Sequence, residues 1–273
     1  MATSMRITHS DFNLGITLDS GQVFGFEKLS ETEYRGRAAG RVVRFKAQKN
    51  GMLSVDCEAP LSKEAIIHYF DLEKDLAPVY QALKQEERLH PALQMCRGLR
   101  IIRQDSWEAL ACFILSSNNN VKRIQGIWKN MVDYFGGFPS ARQIARSHDR
   151  ILRQLGLGYR APFLMSTACF VAANPVCLDM IREAPYEEAV RRVIRFPGIG
   201  PKVADCALLY GFYKQEAFPV DVWILRIMRK LYFRGRSVSE KRIQVYGQKK
   251  WGRDAGYVQQ YLFHAARTGI LVE

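Results

Sequence analysis

The segment FPGIGPKVADC, Phe196–Cys206, decides how the second half of the chain folds. YEEAVRRVIRF, Tyr186–Phe196, has helical spacing, and PKVADCALLYGF continues as a second helix, so a helical hairpin is expected over about residues 187–212. Gly198 and Gly200 accept backbone angles that a Cβ opposes, which lets the two helices approach closely. The turn exposes peptide N–H groups at the start of the second helix. Reinforced by the helix dipole, they suit a phosphate oxygen without reading any base. Taken alone, PGIG also reads as an ordinary turn between helices.

Lys202 and Cys206 are four apart and project from one face, whereas Val203, Ala204, Ala207 and Leu208 make an apolar face toward the core. Lys202 is thereby aimed away from the core. It lies in the first turn, where the positive helix end repels an ammonium and makes a free, nucleophilic amine easier to reach. Such an amine can attack a sugar carbon; for this segment alone, a phosphate contact is the equal alternative. Asp221 follows Pro219 and Val220 and precedes the apolar-periodic VWILRIMRKLYF, so it reads as a helix N-cap. A cap holds a carboxylate rigidly, and the same carboxylate can stabilise oxocarbenium character as an N-glycosidic bond breaks.

The chain has 273 residues, enough for one large core or two domains, and 48% hydrophobic content, which argues against disorder or a fibre. Its formal net charge of +13 favours a polyanionic partner, nucleic acid first. The six cysteines, Cys57, Cys96, Cys112, Cys169, Cys177 and Cys206, form no CxxC pair and no Cys/His cluster. Free thiols in a reducing compartment are expected. The N-terminal MATSMRITHSDF has no apolar signal core, and the uncharged stretch Pro162–Pro175 is too short to span a bilayer. A soluble intracellular protein without membrane partners is expected: cytoplasmic and nucleoid-associated in a bacterium, nuclear in a eukaryote.

Upstream of the hairpin the pattern changes character. From Arg6 to Cys57 the segments ITLDSGQVFGF, EYRGRAAGRVVRFKAQ and NGMLSVDC alternate like strands with Gly-containing turns between. After Pro60 the spacing becomes helical, with Ser62 capping KEAIIHYF and Ser106 preceding the almost wholly apolar WEALACFILSS. Ile124, Ile127, Trp128, Met131 and Phe135 share one helical face that reads as core. The expected fold class is α+β. An antiparallel sheet domain with accompanying helices is expected at residues 1–105, and an all-helical domain carrying the hairpin at residues 106–273.

SGQVF (Ser20–Phe24), SSNNNVKRI (Ser116–Ile124), LGLGYRA (Leu155–Ala161), FPGIGPKVADC, PVDV (Pro219–Val222) and QQYLF (Gln259–Phe263) stand in one order along the chain. Together they resemble the 8-oxoguanine DNA glycosylase/AP lyase family of helix-hairpin-helix enzymes. The resemblance implies a flipped-out nucleotide, with Lys202 and Asp221 catalytic. It implies that Asn118 fills the vacated space, that Tyr159 is a wedge, and that Arg123 and Arg160 read the estranged cytosine. It assigns the Gly21 carbonyl to the N7–H that 8-oxoguanine has and guanine lacks. Cys206 and Phe263 would sandwich the base, and Gln259 would bond its Watson–Crick edge. Gly198 and Gly200 would hold DNA phosphate, and the carbonyls of Ile194, Phe196 and Ile199 would hold a structural cation touching phosphate.

One position departs from the pattern. Trp223 stands where the best-known animal members have a His that contacts phosphate, although an indole N–H can still donate. No cofactor is expected for catalysis. Cys206 is the last cysteine, so the four-cysteine iron–sulfur loop of related glycosylases is absent from the sequence. The implied partner is double-stranded DNA carrying 8-oxoguanine opposite cytosine, bound by a monomer. Two other readings stay open: a glycosylase for an alkylated or ring-opened purine, and a non-catalytic module that only grips phosphate with a steep salt dependence.

Overall fold

The computed structural model describes residues 3–271, apart from the side chain of Asn50. The outermost two residues at each end, including the start of MATSMRITHSDF, lie outside the described range. Two compact units divide the chain: Met1–Arg103 with Gln215–Glu273, and Gln104–Lys214.

In the first unit, β1 (Thr3–Thr8) leads through helix α1 (Leu14–Asp19) to β2 (Phe26–Ser30), β3 (Glu33–Ala38), β4 (Arg41–Ala47) and β5 (Met52–Cys57). These strands form a wholly antiparallel sheet in the order β1-β5-β4-β3-β2. The expected strand through ITLDSGQVFGF is therefore corrected. Asn13 caps the N-H of Ile16 and starts a helix there, Ser20-Gly21-Gln22 turns, and only Phe26 enters the sheet. The apolar positions Ile16, Leu18 and Phe24, all of one strand parity, mimicked a strand, and the cap won.

Alternate residues of the sheet face inward, where Tyr34, Val43, Phe45 and Val55 meet Ile66 and Phe70 of the helical cover. Phe12, Phe45 and Phe70 pack ring on ring at centroid distances of 4.9 and 5.0 Å. Each such ring contributes on the order of 2 kcal/mol through burial. The cover consists of α2 (Lys63–Tyr69), α3 (Ala77–Lys84) and α4 (His90–Cys96), with Ser62 capping α2 as expected.

The second unit is all helix: α5 (Ser106–Ser116), α6 (Val121–Phe135), α7 (Ala141–Ala145), α8 (Asp149–Leu152), α9 (Ala161–Ala173), α10 (Cys177–Glu183), α11 (Tyr186–Val193) and α12 (Pro201–Gly211). Asp105, rather than Ser106, caps α5, accepting from the N–H of Glu108 at 2.9 Å. Ser106 is instead the first helical residue and donates to the carbonyl of Gly211, tying α5 to the end of α12. Along α6, Ile124, Ile127 and Met131 are buried and Trp128 is half-buried, its indole N–H bonded to Glu108 at 2.8 Å.

The chain then returns to the first unit as α13 (Val222–Tyr232), α14 (Glu240–Trp251) and α15 (Ala255–Arg267). Helix α15 is buried on nearly every side. Its Tyr257 hydroxyl donates to Asp71 and its Tyr261 hydroxyl to the carbonyl of Leu99, so the last helices are bonded into the sheet-bearing unit. A boundary at residue 105 separates the chain by element type, whereas contacts return residues 215–273 to the N-terminal unit. Among the described residues no single helix is long and apolar enough to cross a membrane.

His264 on α15 is 5% exposed, and burial together with the nearby Arg267 guanidinium lowers its pKa to about 4. The unfolded chain, near 6.5, then binds the proton that the native state refuses. Stability is fully present above pH 6.5 and is lost as pH falls toward 4, by about 3 kcal/mol at the limit. Denaturant unfolding at pH 7 and pH 4.5 should show His264→Gln losing less stability on acidification than wild type.

Candidate active site

The hairpin forms as expected, with α11 and α12 flanking Ile194–Gly200. The Ile199 N–H donates to the Phe196 carbonyl at 3.2 Å, closing the turn. Gly198 has φ +78°, and a Cβ there would lie 2.5 Å from the Phe163 ring. Gly200 differs from the expectation: it is the N-cap of α12 at φ −90°, with open space where a Cβ would go. Gly198→Ala should therefore cost about 2–3 kcal/mol, from left-handed strain and overpacking, while Gly200→Ala should stay within about 1 kcal/mol. Thermal unfolding of the two variants separates them.

No side chain caps α12, so its first-turn N–H groups are available to an external acceptor. Lys202 follows Pro201 in that turn and is half-buried. Among the described residues its ammonium has no hydrogen bond, ion pair or ring contact. Beyond it the two-faced helix of the sequence reading is corrected. Val203 to Gly211 are all buried, Cys206 included at 6% exposure, because α12 packs against both α5 and α11. Phe113 stacks on Tyr210 at 5.3 Å in that packing.

Asp205, which sequence reading passed over, is 1% exposed and accepts from the Tyr186 hydroxyl at 2.6 Å, tying α12 to α11. A charged residue amid an apolar helical run was the available signal.

SSNNN and GYR, some forty residues apart in the chain, meet in the second unit. Asn118 is exposed at φ +48°, a conformation Asn tolerates better than most residues. Asn119 donates to the Leu115 carbonyl, and Asn120 caps α6 through the Arg123 N–H. The Tyr159 hydroxyl donates to the Ser117 carbonyl at 3.1 Å, with its ring 48% exposed. Arg160 is 2% exposed and donates to the carbonyls of Ser117 and Asn118, each at 2.8 Å, beneath the Tyr159 ring. Its guanidinium thereby straps the loop, whereas Arg123 stands exposed on α6 without a side-chain partner among the described residues.

In the first unit, Asp221 caps α13, its Oδ1 accepting from the N–H groups of Trp223 and Ile224 at 3.0 and 2.9 Å. Trp223 is half-buried, with the Arg226 guanidinium 5.8 Å from its ring. Gln259 of α15 donates to the Pro219 carbonyl at 3.0 Å, two residues before Asp221. It is 3% exposed, yet its Oε1 has no partner among the described residues. Phe263, one turn later, is half-buried. The turn Ser20-Gly21-Gln22 is bonded to the same helix, since Gln260 donates to the Ser20 carbonyl at 3.1 Å.

The second unit thus carries, at an open helix N-terminus, an amine that bonds no described residue. The first carries a rigid carboxylate and a buried amide oxygen without a partner among the described residues. Among the described residues no group of three or more His, Cys, Asp or Glu could hold a metal.

Residues 111–253 match the HhH-GPD superfamily of base excision DNA repair proteins, and residues 4–110 match the N-terminal domain of 8-oxoguanine DNA glycosylase. A "Probable N-glycosylase/DNA lyase" of Methanothermobacter thermautotrophicus is 34% identical, over 98% of this chain and 97% of that one. N-glycosylase/DNA lyase OGG1 of Arabidopsis thaliana is 28% identical, over 96% and 79%. The 8-oxoguanine glycosylase/lyase of Clostridium acetobutylicum, solved with double-stranded DNA containing cytosine opposite 8-oxoguanine, superposes with a TM-score of 0.87. That likeness covers 97% of this chain and 98% of that one at 28% identity. The chain belongs to the HhH-GPD superfamily of base excision DNA repair proteins and, within it, to the 8-oxoguanine glycosylase family of N-glycosylase/DNA lyases.

Proposed function

We propose that this protein excises 8-oxoguanine opposite cytosine from duplex DNA and then nicks the resulting abasic site, with Lys202 as nucleophile. The observation that carries the reading is the half-buried Lys202 ammonium with no partner among the described residues, one residue inside an uncapped helix start. A lysine kept for structure would be expected to hold a carboxylate or a carbonyl.

The Lys202 amine attacks C1′ of the extruded nucleotide as the C1′–N9 bond breaks, and the base leaves with the bonding electrons and takes up a proton. Asp221 stabilises the positive charge that develops on the sugar. The nitrogen lone pair then expels the ring oxygen, which leaves as a hydroxyl after taking up a proton, and the Schiff base forms between Nζ and C1′. Removal of a C2′ proton then expels the 3′ phosphate by β-elimination. The first-turn N–H groups of α12 and the turn at Gly198 hold backbone phosphate.

Gln259 supports base recognition because its buried Oε1 lacks a donor until a ligand supplies one. Gly21 would accept N7–H of the lesion; Phe263 and Cys206 would flank the base. Asn118 would occupy the vacated space with Tyr159 as wedge, while Arg123 would face the estranged cytosine, joined by Arg160 once it releases the loop carbonyls. Trp223 would offer its indole N–H to phosphate. A structural cation at the hairpin would be held by the carbonyls of Ile194, Phe196 and Ile199. These are hard oxygen donors, of which Phe196 already accepts one internal bond. Its charge would meet a phosphate; catalysis itself would need no cofactor. One chain suffices per lesion, in whichever compartment holds DNA.

Single-turnover excision from duplexes with 8-oxoguanine opposite each of the four bases tests the reading. The fastest release is expected opposite cytosine, and equal release opposite all four would contradict the proposed role of Arg123.

A further inference from the structure

We infer that Gln22 and Gln260 are positioning residues that fix the Gly21 peptide and thereby set discrimination between the oxidised purine and guanine. This rests on the base-excision reading above.

Gly21 has φ +84°, and with no Cβ its peptide has wide rotational freedom. Its carbonyl accepts no hydrogen bond from a described residue. A group that must tell a donor from a lone pair at N7 loses that ability if it swings, because a tilted carbonyl neither bonds the lesion well nor repels guanine. The restraint has to come from the neighbours.

Both flanking residues are fully buried. The Gln22 Nε2 group faces three acceptors, the Thr17 carbonyl at 3.1 Å, the Ser20 hydroxyl at 3.0 Å and the Arg100 carbonyl at 2.8 Å. Its Oε1 accepts from the Ile102 N–H at 2.8 Å. Arg100 is itself anchored, its guanidinium donating to the carbonyls of Asp11, Asp71 and Lys74. On the other side, the Ser20 hydroxyl donates to Thr17, and the Ser20 carbonyl accepts from Gln260. These bonds hold Ser20 and Gln22 on either side, and among the described residues none uses the Gly21 carbonyl between them.

Gln260 adds a coupling. It is adjacent to Gln259 on α15, so one helix presents the unsatisfied Gln259 amide and also sets the pose of the Gly21 turn. A shift of α15 would move both recognition groups together.

The test uses the full-length protein with two substrates: a duplex containing 8-oxoguanine opposite cytosine, and the same duplex with a preformed abasic site. Nicking of the abasic site needs Lys202 and no base recognition. Gln260→Leu removes the bond to the Ser20 carbonyl at similar volume and should slow 8-oxoguanine release about tenfold. Its abasic nicking should stay within about twofold of wild type. Gln22→Met, which removes every bond of that amide, should show a larger loss with the same split. Equal losses on both substrates, or no loss on either, would overturn the inference alone. Wild type that nicks the abasic duplex and releases no 8-oxoguanine would overturn the base-excision reading and the inference with it.

Discussion

Lys202→Gln should abolish both base release and the covalent adduct that borohydride traps, while duplex binding and thermal stability stay close to wild type. Reduction of a Schiff base fixes the enzyme to DNA only if a protein amine has already bonded C1′, so the adduct reports the chemistry directly. Glutamine keeps a polar, hydrogen-bonding side chain, one atom shorter than lysine, but has no basic lone pair. The ammonium of Lys202 bonds to no described residue, so its loss orphans nothing in the fold. A drop in excision of at least about a thousandfold is expected when a covalent nucleophile is removed. An undiminished adduct would transfer the role to another amine. A protein that binds with a steep salt dependence, yet traps nothing even as wild type, would be a phosphate-gripping module.

Asp221→Asn should separate two functions that one side chain combines. Asparagine is as good an N-cap as aspartate, so the bonds to the N–H groups of Trp223 and Ile224 should persist and unfolding should be almost unchanged. The negative charge is lost. If that charge stabilises the sugar cation, single-turnover base release should fall by about a hundredfold or more, with duplex affinity retained. Unchanged release in a folded Asp221→Asn protein would reduce Asp221 to its cap.

Much of the architecture was legible because local chemistry and tertiary packing agree. The hairpin could be read from PGIG between two helical patterns, and the caps at Ser62 and Asp221 from an oxygen-bearing residue before an apolar period. Where the two disagree, reading failed. The stretch Ile16–Phe26 alternates like a strand, but Asn13 starts a helix and the Gly21 turn redirects the chain. Gly200 looked like Gly198 in sequence, yet only Gly198 sits in the left-handed region against Phe163. The exposed face assigned to α12 was invisible as an error, because the layers that cover it come from α5 and α11.

Candidate-site residues divide the same way. Types and spacing pointed to Lys202 and Asp221 through elementary reactivity, whereas Gly21, Gln259 and Phe263 rested on resemblance to a family. Bonding partners were beyond reach at that level. Nothing in the spacing reveals that Arg160 is buried and bonded to the carbonyls of Ser117 and Asn118, or that Gln22 anchors the turn at Gly21 to Arg100 and Ile102. These are contacts between segments tens of residues apart, set by tertiary packing.

The most direct measurement is mass-spectrometric identification of the base released by wild-type protein, in single turnover, from otherwise identical duplexes. These carry 8-oxoguanine, guanine, an alkylated purine or a ring-opened purine opposite cytosine. The account predicts free 8-oxoguanine from the first duplex, released far faster than any base from the others, with strand nicking following release. Preferential release of the alkylated or ring-opened purine, or binding of all four duplexes with no base released, would contradict it.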